Sequence, residues 1–442
     1  MLYSEAITYL DSLCNYEQNR RDYDFGLKRI KKFLQGVGNP QRKFLSIHIA
    51  GSNGKGTVGN FIYSVLKEKG YRVGFFSSPH LISIRERIRA SFNSSQGLFN
   101  DIISRRNFAD LIEKIAFTER TNKDKLTFFE TLTVAAFLYF AAEDVDLAVI
   151  ETGLGGRLDA TNVLNPLICV LSPITLEHYQ ELGNSLTKIA REKVGIIKRG
   201  ACVIFARQKE EVKKVIEKRC REKKTELFEV RLGHTKHAVD FPSEEIMAQV
   251  SIGNFSIADT RNWCSRFPVS QKAIKRGFRN AYWPGRLERI SITKRNRDYQ
   301  ILLDGAHNPS GAEFLKKVIE RQFPFRQITL IFSACRDKDI EGISRVIFPI
   351  CKRVIFTRFK NPRCETIKEL RKRTGVQGEG TGNIKEALEL ACKSASTNTL
   401  ILITGSLYLA GEALQATSHK LQANKPQTSS SKVQVKNKKP ET

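Results

Sequence analysis

The sequence predicts an α/β protein of two domains, each built around a mostly parallel β-sheet, and three observations carry that prediction. At 442 residues the chain exceeds a single ordinary domain of about 100–200 residues. Short β-rich runs alternate with longer helix-like stretches, the pattern of βαβ units covered on both faces. The alternation also starts afresh after "YWPGRLE" (282–288), with enough strands to make a second sheet.

Taken in order, "KFLSIHIAG" is a β-rich run that ends in a glycine loop. After the loop, Val58, Phe61, Ile62, Val65 and Leu66 recur at the helical period, so strand, loop and amphipathic helix follow one another. "YRVGFF" reads as the next strand, "FETLTVAAFLYFAAED" as a helix buried on most sides, and "VDLAVIETG" as a buried strand ending in an acid. The second series runs strand "QILLDGAHNP", helix "GAEFLKKVIERQ", strand "ITLIFSA", helix, strand "RVIFTRF", helix "NIKEALELACKSA", strand "TLILITGS". The boundary falls near Pro284, giving an N-terminal domain of 1–283 and a Rossmann-like C-terminal domain of 284–420. Residues 421–442 are polar and basic with almost no large apolar side chain, and read as a disordered tail.

Composition narrows the class. Hydrophobic residues at 41% and charged residues at 27% are ordinary for a globular chain, and no apolar run approaches the roughly 20 residues that a membrane helix needs. The N-terminus lacks the basic, apolar and small-residue succession of a secretory signal, which points to the cytoplasm. Nine scattered cysteines, with no CxxC pair, suit free thiols in a reducing compartment rather than a disulfide framework or a zinc site. The net charge of +27 raises a nucleic-acid reading. Much of it lies in helical stretches such as "KEEVKKVIEKRCREKK" (209–224), where a solvated face explains it, and a basic surface also suits polyanionic substrates.

The chemistry begins at "GSNGKGT" (51–57). Backbone N–H groups around a glycine loop that feeds a helix N-terminus form an anion nest, and Lys55 adds a point charge for the β and γ phosphates of a nucleotide. The usual phosphate loop places a hydroxyl directly after the lysine, whereas here Gly56 intervenes and Thr57 is the nearest hydroxyl to Mg²⁺. Glu151 ends a buried strand, where a second acid commonly supports the metal of such a site. Ser78 and His80 in "FSSPHL", and Glu177 and His178 in "SPITLEHYQELG", follow other strands and belong to the sheet edge where α/β folds bind ligands.

The successive stretches "AGSNGKGT", "SSPHLISIRERIR", "LTFFETLTVAAF", "ETGLGGRLDATN", "IAREKVGIIKRG", "WPGRLE", "LDGAHNPSG" and "TGSLYLAGE" resemble the motifs of the dihydrofolate synthase/folylpolyglutamate synthase family, a branch of the Mur ligase superfamily. They stand in the family's order over nearly the whole chain apart from the tail. The resemblance implies an N-terminal Mur-ligase-type ATP-binding domain and a C-terminal ligase domain. It implies an ATP- and Mg²⁺-dependent ligase that joins L-glutamate to dihydropteroate or to folates, and a monomer. A carboxylate is a poor electrophile, so the family's logic is to phosphorylate it from ATP and let glutamate's amine displace phosphate from the acyl phosphate.

Carried over onto this chain, the resemblance implies that Ser52, Asn53, Gly54, Lys55, Gly56 and Thr57 cradle the ATP phosphates. It gives magnesium to Thr57, Ser78, Glu151 and His178, and makes Lys193 a carbamylated lysine that positions metal and γ-phosphate. Thr127, Phe128, Phe129 and Glu130, with Leu158, Asp159 and Ala160, border a pterin pocket; Arg286, Asp304 and His307 reach ATP across an interdomain cleft. Two positions depart from the pattern. Glu177 replaces an aspartate, and Asp259-Thr260 replaces an Asn-Ala pair that contacts adenine, leaving Asp259 able to accept from the base but not to donate. Two other readings compete: a Mur-type ligase acting on another acceptor, such as a peptidoglycan precursor, and a basic nucleic-acid-binding phosphate-loop protein. "LTFFE" and "GGRLDATN" speak against the first, and the absence of a zinc-finger or RNA-recognition signature against the second.

Overall fold

In a computed structural model of the chain, residues 1–17, 26–93, 99–120, 125–230, 267–294 and 297–421 are described. Among them are two sheets. The first has the order β3-β2-β4-β1-β5-β6-β7, formed by β1 (Leu45–Ala50), β2 (Val73–Phe76), β3 (Ile88–Ala90), β4 (Leu147–Glu151), β5 (Ile168–Leu171), β6 (Cys202–Phe205) and β7 (Glu226–Glu229). Every pairing in it is parallel except β2 with β3. The second sheet, β12-β11-β10-β13-β9-β8, joins β8 (Glu288–Lys294), β9 (Arg297–Leu303), β10 (Gln327–Phe332), β11 (Arg353–Phe356), β12 (Glu379–Gly380) and β13 (Thr399–Thr404), with only the β8–β9 pair antiparallel. Two α/β units with mostly parallel sheets are thus observed, as the alternation predicts.

The central strand β1 lies between β4 and β5, with all five of Ser46–Ala50 buried. Chain order reverses around it, which opens a crevice at the strands' C-terminal ends. The glycine loop, Glu151 and the segment after β5 all leave the sheet there.

The helix Lys55–Lys69 departs from the amphipathic expectation. Every residue from Gly56 to Leu66 is buried, because the helix Gln271–Asn280 covers the face that would otherwise meet solvent. That covering is close: Ser64 Oγ donates to the Gly277 carbonyl at 2.8 Å. The helix Phe128–Ala142 is buried along nearly its whole length, as its composition predicts. No helix among the described residues is long and apolar enough to cross a membrane. Asp259 and the 421–442 tail, apart from Leu421 itself, lie outside the described residues.

Candidate active site

Where the two units face one another, a cavity of about 410 Å³ is lined from both. Its floor is the glycine loop. Gly54 is the N-cap of the helix Lys55–Lys69 in a left-handed conformation (φ 78°), which presents the helix's first N–H groups to the cavity. The amides of Ser52 and Asn53 are committed elsewhere, both donating to the Pro173 carbonyl at 2.9 and 3.3 Å, and Ser52 Oγ donates to the Thr175 carbonyl. The free anion-binding groups of the loop are therefore those of its helical end together with Lys55.

The glycine after Lys55 has a steric cause. A Cβ at Gly56 would lie 2.8 Å from Trp283 Cζ2 and 3.2 Å from Glu151 Oε2, so nothing larger fits between the lysine and the hydroxyl residue. Moving that hydroxyl one residue along also turns it about 100° around the helix. Thr57 is accordingly buried and absent from the cavity wall, unlike the other loop residues Ser52 to Gly56.

Glu151 lies 3% exposed at the end of β4. Its Oε2 accepts from the Ser78 N–H at 3.1 Å, and its Oε1 stands 4.0 Å from Lys55 Nζ. Burial pushes its carboxyl above the usual range, and Lys55 opposes that shift. A buried carboxylate with so few partners favours a neighbouring cation. Ser78, Glu177 and His178 line the same cavity, and His178 holds a positive φ of 49° at the bend that turns it there. Among the described residues no three His, Cys, Asp or Glu side chains cluster as a metal cage. The oxygens of Glu151 and Ser78 fit Mg²⁺, which keeps waters and phosphate oxygens in its shell, whereas the His178 imidazole is the softer donor of the set.

Lys193 is not on the cavity surface. At 2% exposed it sits beneath the loop, donating to the Gly51 carbonyl and to Glu177 Oε1, both at 2.8 Å. Burial lowers the pKa of its ammonium against the opposing pull of Glu177.

On the other side, Thr127, Phe129, Glu130, Leu158, Asp159 and Ala160 line the cavity. Phe128 does not; it points into the core under the Arg87 guanidinium, 5.4 Å from the ring centre. As the first residue of its helix it is directed away from its neighbour Phe129, whose ring packs on Gly153. Thr127 and Glu130 form the helix's capping box: Thr127 N–H donates to Glu130 Oε2 at 2.8 Å, and Glu130 N–H to Thr127 Oγ1 at 3.3 Å. Glu130 Oε2 also accepts from Arg29 Nε at 2.8 Å.

From the second unit come Arg286, Asp304 and His307. Asp304 is turned inward, accepting from the N–H groups of Leu287 (2.9 Å) and Ala306 (2.8 Å), and so fixes the loop that carries Arg286. His307 Nδ1 donates to the Gly305 carbonyl at 2.9 Å, which leaves Nε2 as a bare acceptor. Burial holds this imidazole neutral, with a pKa lowered to about 3.

Sequence reasoning missed several wall residues: Glu17, Arg29, Asn308, Ser310, Arg363 and Tyr408. Asn308 had a legible signal, since Asn-Pro is a helix-start pair, and its side chain caps the helix Pro309–Gln322. Arg29 and Arg363 sit in basic stretches with nothing local to distinguish them.

The Mur ligase middle domain model matches residues 49–264, and the Mur ligase glutamate ligase domain model matches residues 285–407. A dihydrofolate synthase/folylpolyglutamate synthase of Bacillus subtilis (strain 168) is 31% identical over 87% of this chain and 93% of its own length. The crystal structure of folylpolyglutamate synthase from Thermotoga maritima superposes with a TM-score of 0.75 at 32% identity, covering 94% of this chain and 96% of that one. Mycobacterium tuberculosis folylpolyglutamate synthase, solved in complex with ADP and AMPPCP, gives a TM-score of 0.77 at 27% identity, covering 93% of this chain and 98% of that one.

Proposed function

Because this chain belongs to the dihydrofolate synthase/folylpolyglutamate synthase family, it is an ATP-dependent acid–amino-acid ligase, and we propose that it joins L-glutamate to dihydropteroate, to folates, or to both through an acyl phosphate. The observation that carries the reading is one cavity holding both Lys55 with Glu151 and the Asp159 segment, so that a nucleotide and a carboxylic-acid acceptor can meet.

In the proposed sequence the acceptor's carboxylate oxygen attacks the γ-phosphorus and ADP leaves. The amine of L-glutamate then attacks the acyl carbon, loses a proton, and phosphate departs with the acceptor's former oxygen. Lys55 and the helix N-terminus hold the phosphates, Arg286 offers a planar fork to charge that develops between them, and the two units together exclude water from the acyl phosphate. Magnesium, held by Glu151 and Ser78 with His178 beside them, would neutralise phosphate charge and polarise the transferred group. Thr57 stands behind the wall and would act through the loop rather than at the metal.

We further propose that Lys193 takes up CO₂ as a carbamate, with loss of a proton. Burial favours the neutral amine this requires. Isotope-labelled bicarbonate should give a carbamate signal that disappears in Lys193→Arg, and a protein lacking that signal while fully active would end the idea. The scattered free cysteines support a cytoplasmic setting, and the family resemblance a monomer.

The decisive assay supplies MgATP and L-glutamate with dihydropteroate, tetrahydrofolate or a muramoyl acceptor. Phosphate release that needs a pterin acceptor and glutamate, with acceptor oxygen recovered in the phosphate, is expected. Turnover with the muramoyl acceptor alone would favour the other Mur-type reading. Salt-sensitive retention on DNA by the protein without its tail, and no ligation, would favour the nucleic-acid reading.

A further inference from the structure

The middle of the central strand β1 carries a residue unlike its neighbours. Ile47 and Ile49 are apolar, yet between them His48 is fully buried. Its Nε2 lies 2.7 Å from Thr161 Oγ1, while its Nδ1 has no hydrogen-bond partner. A buried polar atom without a partner destabilises, and an aliphatic side chain in the same strand would avoid that cost. The imidazole is therefore best explained by the one bond it makes.

Following the protons gives that bond a direction. Asp159 is 4% exposed on the wall of the cavity. Its Oδ1 accepts from the N–H of Thr161 at 3.0 Å and from the Thr161 hydroxyl, and its Oδ2 accepts from the Leu154 N–H at 2.9 Å, with the Gly153 N–H also directed to the carboxylate. These donors use the acceptor positions of a carboxylate and tie the segment 153–161 into one closed loop. The Thr161 hydroxyl has a single proton, which goes to Asp159, so its oxygen must accept from His48. The imidazole consequently carries its proton on Nε2. Burial keeps the ring neutral, with a pKa lowered to about 3.

We infer that His48 is a positioning residue for the acceptor's pterin ring: through the Thr161 hydroxyl it fixes the Asp159 loop in the shape that forms that part of the cavity. The inference rests on the proposed reading that the Asp159 side of the cavity takes the pterin. His48 itself is not among the residues that line the cavity. Its effect is therefore expected on acceptor binding and not on phosphoryl transfer.

The test compares His48→Leu, His48→Gln, Thr161→Val and Asp159→Ala in the full chain, measuring KM separately for dihydropteroate or tetrahydrofolate, for ATP and for glutamate, together with the thermal midpoint. His48→Leu and Thr161→Val should each raise the acceptor KM about tenfold and leave the other two KM values within about twofold, the scale of one lost charge-assisted chain of hydrogen bonds. His48→Gln, whose amide N–H can stand in for Nε2–H, should restore the acceptor KM. If His48→Leu does not fold, Thr161→Val carries the comparison alone. A rise in all three KM values that tracks a fallen thermal midpoint would reduce His48 to a core residue and overturn the inference. So would an unchanged acceptor KM in His48→Leu while Asp159→Ala raises it. An unchanged acceptor KM in Asp159→Ala would instead overturn the pterin reading of this side of the cavity.

Discussion

The carboxylate of Glu177 closes one side of the surroundings of Lys193. Glu177, standing where the family resemblance expects an aspartate, reaches Lys193 Nζ at 2.8 Å, and both side chains are at most 10% exposed. Burial alone would push the Glu177 carboxyl up, but Lys193, His178 and Lys55 outweigh it and hold the group well below the usual carboxylate range. A depressed folded-state value means that the pair stabilises the fold above the unfolded carboxyl's pKa of about 4.3 and stops doing so as the pH falls through the folded value. At neutral pH the Glu177 side of the pair is ionised. Glu177→Gln would leave a buried ammonium without its counter-charge, a loss of about 3–5 kcal/mol. Urea unfolding at neutral pH in bicarbonate-free buffer measures it, and a loss under about 1 kcal/mol would show that the pair is not formed in solution. Nothing around Lys193 in "IAREKVGIIK" announces this role. Its partners are 16 and 142 residues away, so its burial is a property of the fold, and only the family motif singled it out.

Elements were more legible than residues because their signals are local. Strand, glycine loop and helix from residue 45 to 69 follow from β-rich composition and helical periodicity, and the strands and helices named in the second series fall where the same signals place them, while the antiparallel β8 and the two-residue β12 at the sheet's edges were not among them. What the pattern missed was how much of the helix Lys55–Lys69 would be covered, since the covering helix Gln271–Asn280 lies some two hundred residues on. The contact depends on Gly277, where a Cβ would come within 2.5 Å of Val65 Cα. Backbone cannot yield as a flexible side chain can, so Gly277→Ala should force the helices apart and destabilise by about 1–3 kcal/mol. Because the displaced helix carries Lys55 at its N-terminus, the KM for ATP should rise as well. Thermal unfolding and nucleotide titration check the two effects together; a normal midpoint would mean that the helices separate without cost.

At the scale of the whole molecule the site exists only between the two α/β units. Asn53 Nδ2 donates to Ser310 Oγ at 2.7 Å, Ser310 Oγ donates to Asn308 Oδ1 at 3.1 Å, and Asn308 Nδ2 donates back to Asn53 Oδ1 at 2.8 Å. This ring ties the glycine loop to the helix start of the second unit across more than 250 residues of chain. Arg363 adds a second tie, its Nη1 donating to the Glu17 carbonyl at 2.8 Å, while Arg87 grips the Glu17 carboxylate with both Nη atoms at 2.7 and 2.6 Å. Such partners are invisible to any reading of local periodicity. Arg286 was reachable only through its motif, and it is the sharpest probe of the shared site. Its guanidinium lies against Gly305, where a Cβ would meet Nη1 at 3.1 Å, and its charge is felt at Glu151 on the first sheet. Among the described residues no salt bridge ties Arg286 into the fold, its charge acting on Asp304 and Glu151 from farther off, so removing it should leave the fold intact. Arg286→Ala is expected to lower kcat by about a hundredfold or more, the scale of one lost transition-state donor. Circular dichroism should be unchanged. Arg286→Lys should recover little, because an ammonium cannot offer two parallel N–H bonds to phosphate. Near-normal turnover in Arg286→Ala would mean that the second unit contributes shape alone and that phosphoryl transfer is completed by Lys55 and its own sheet.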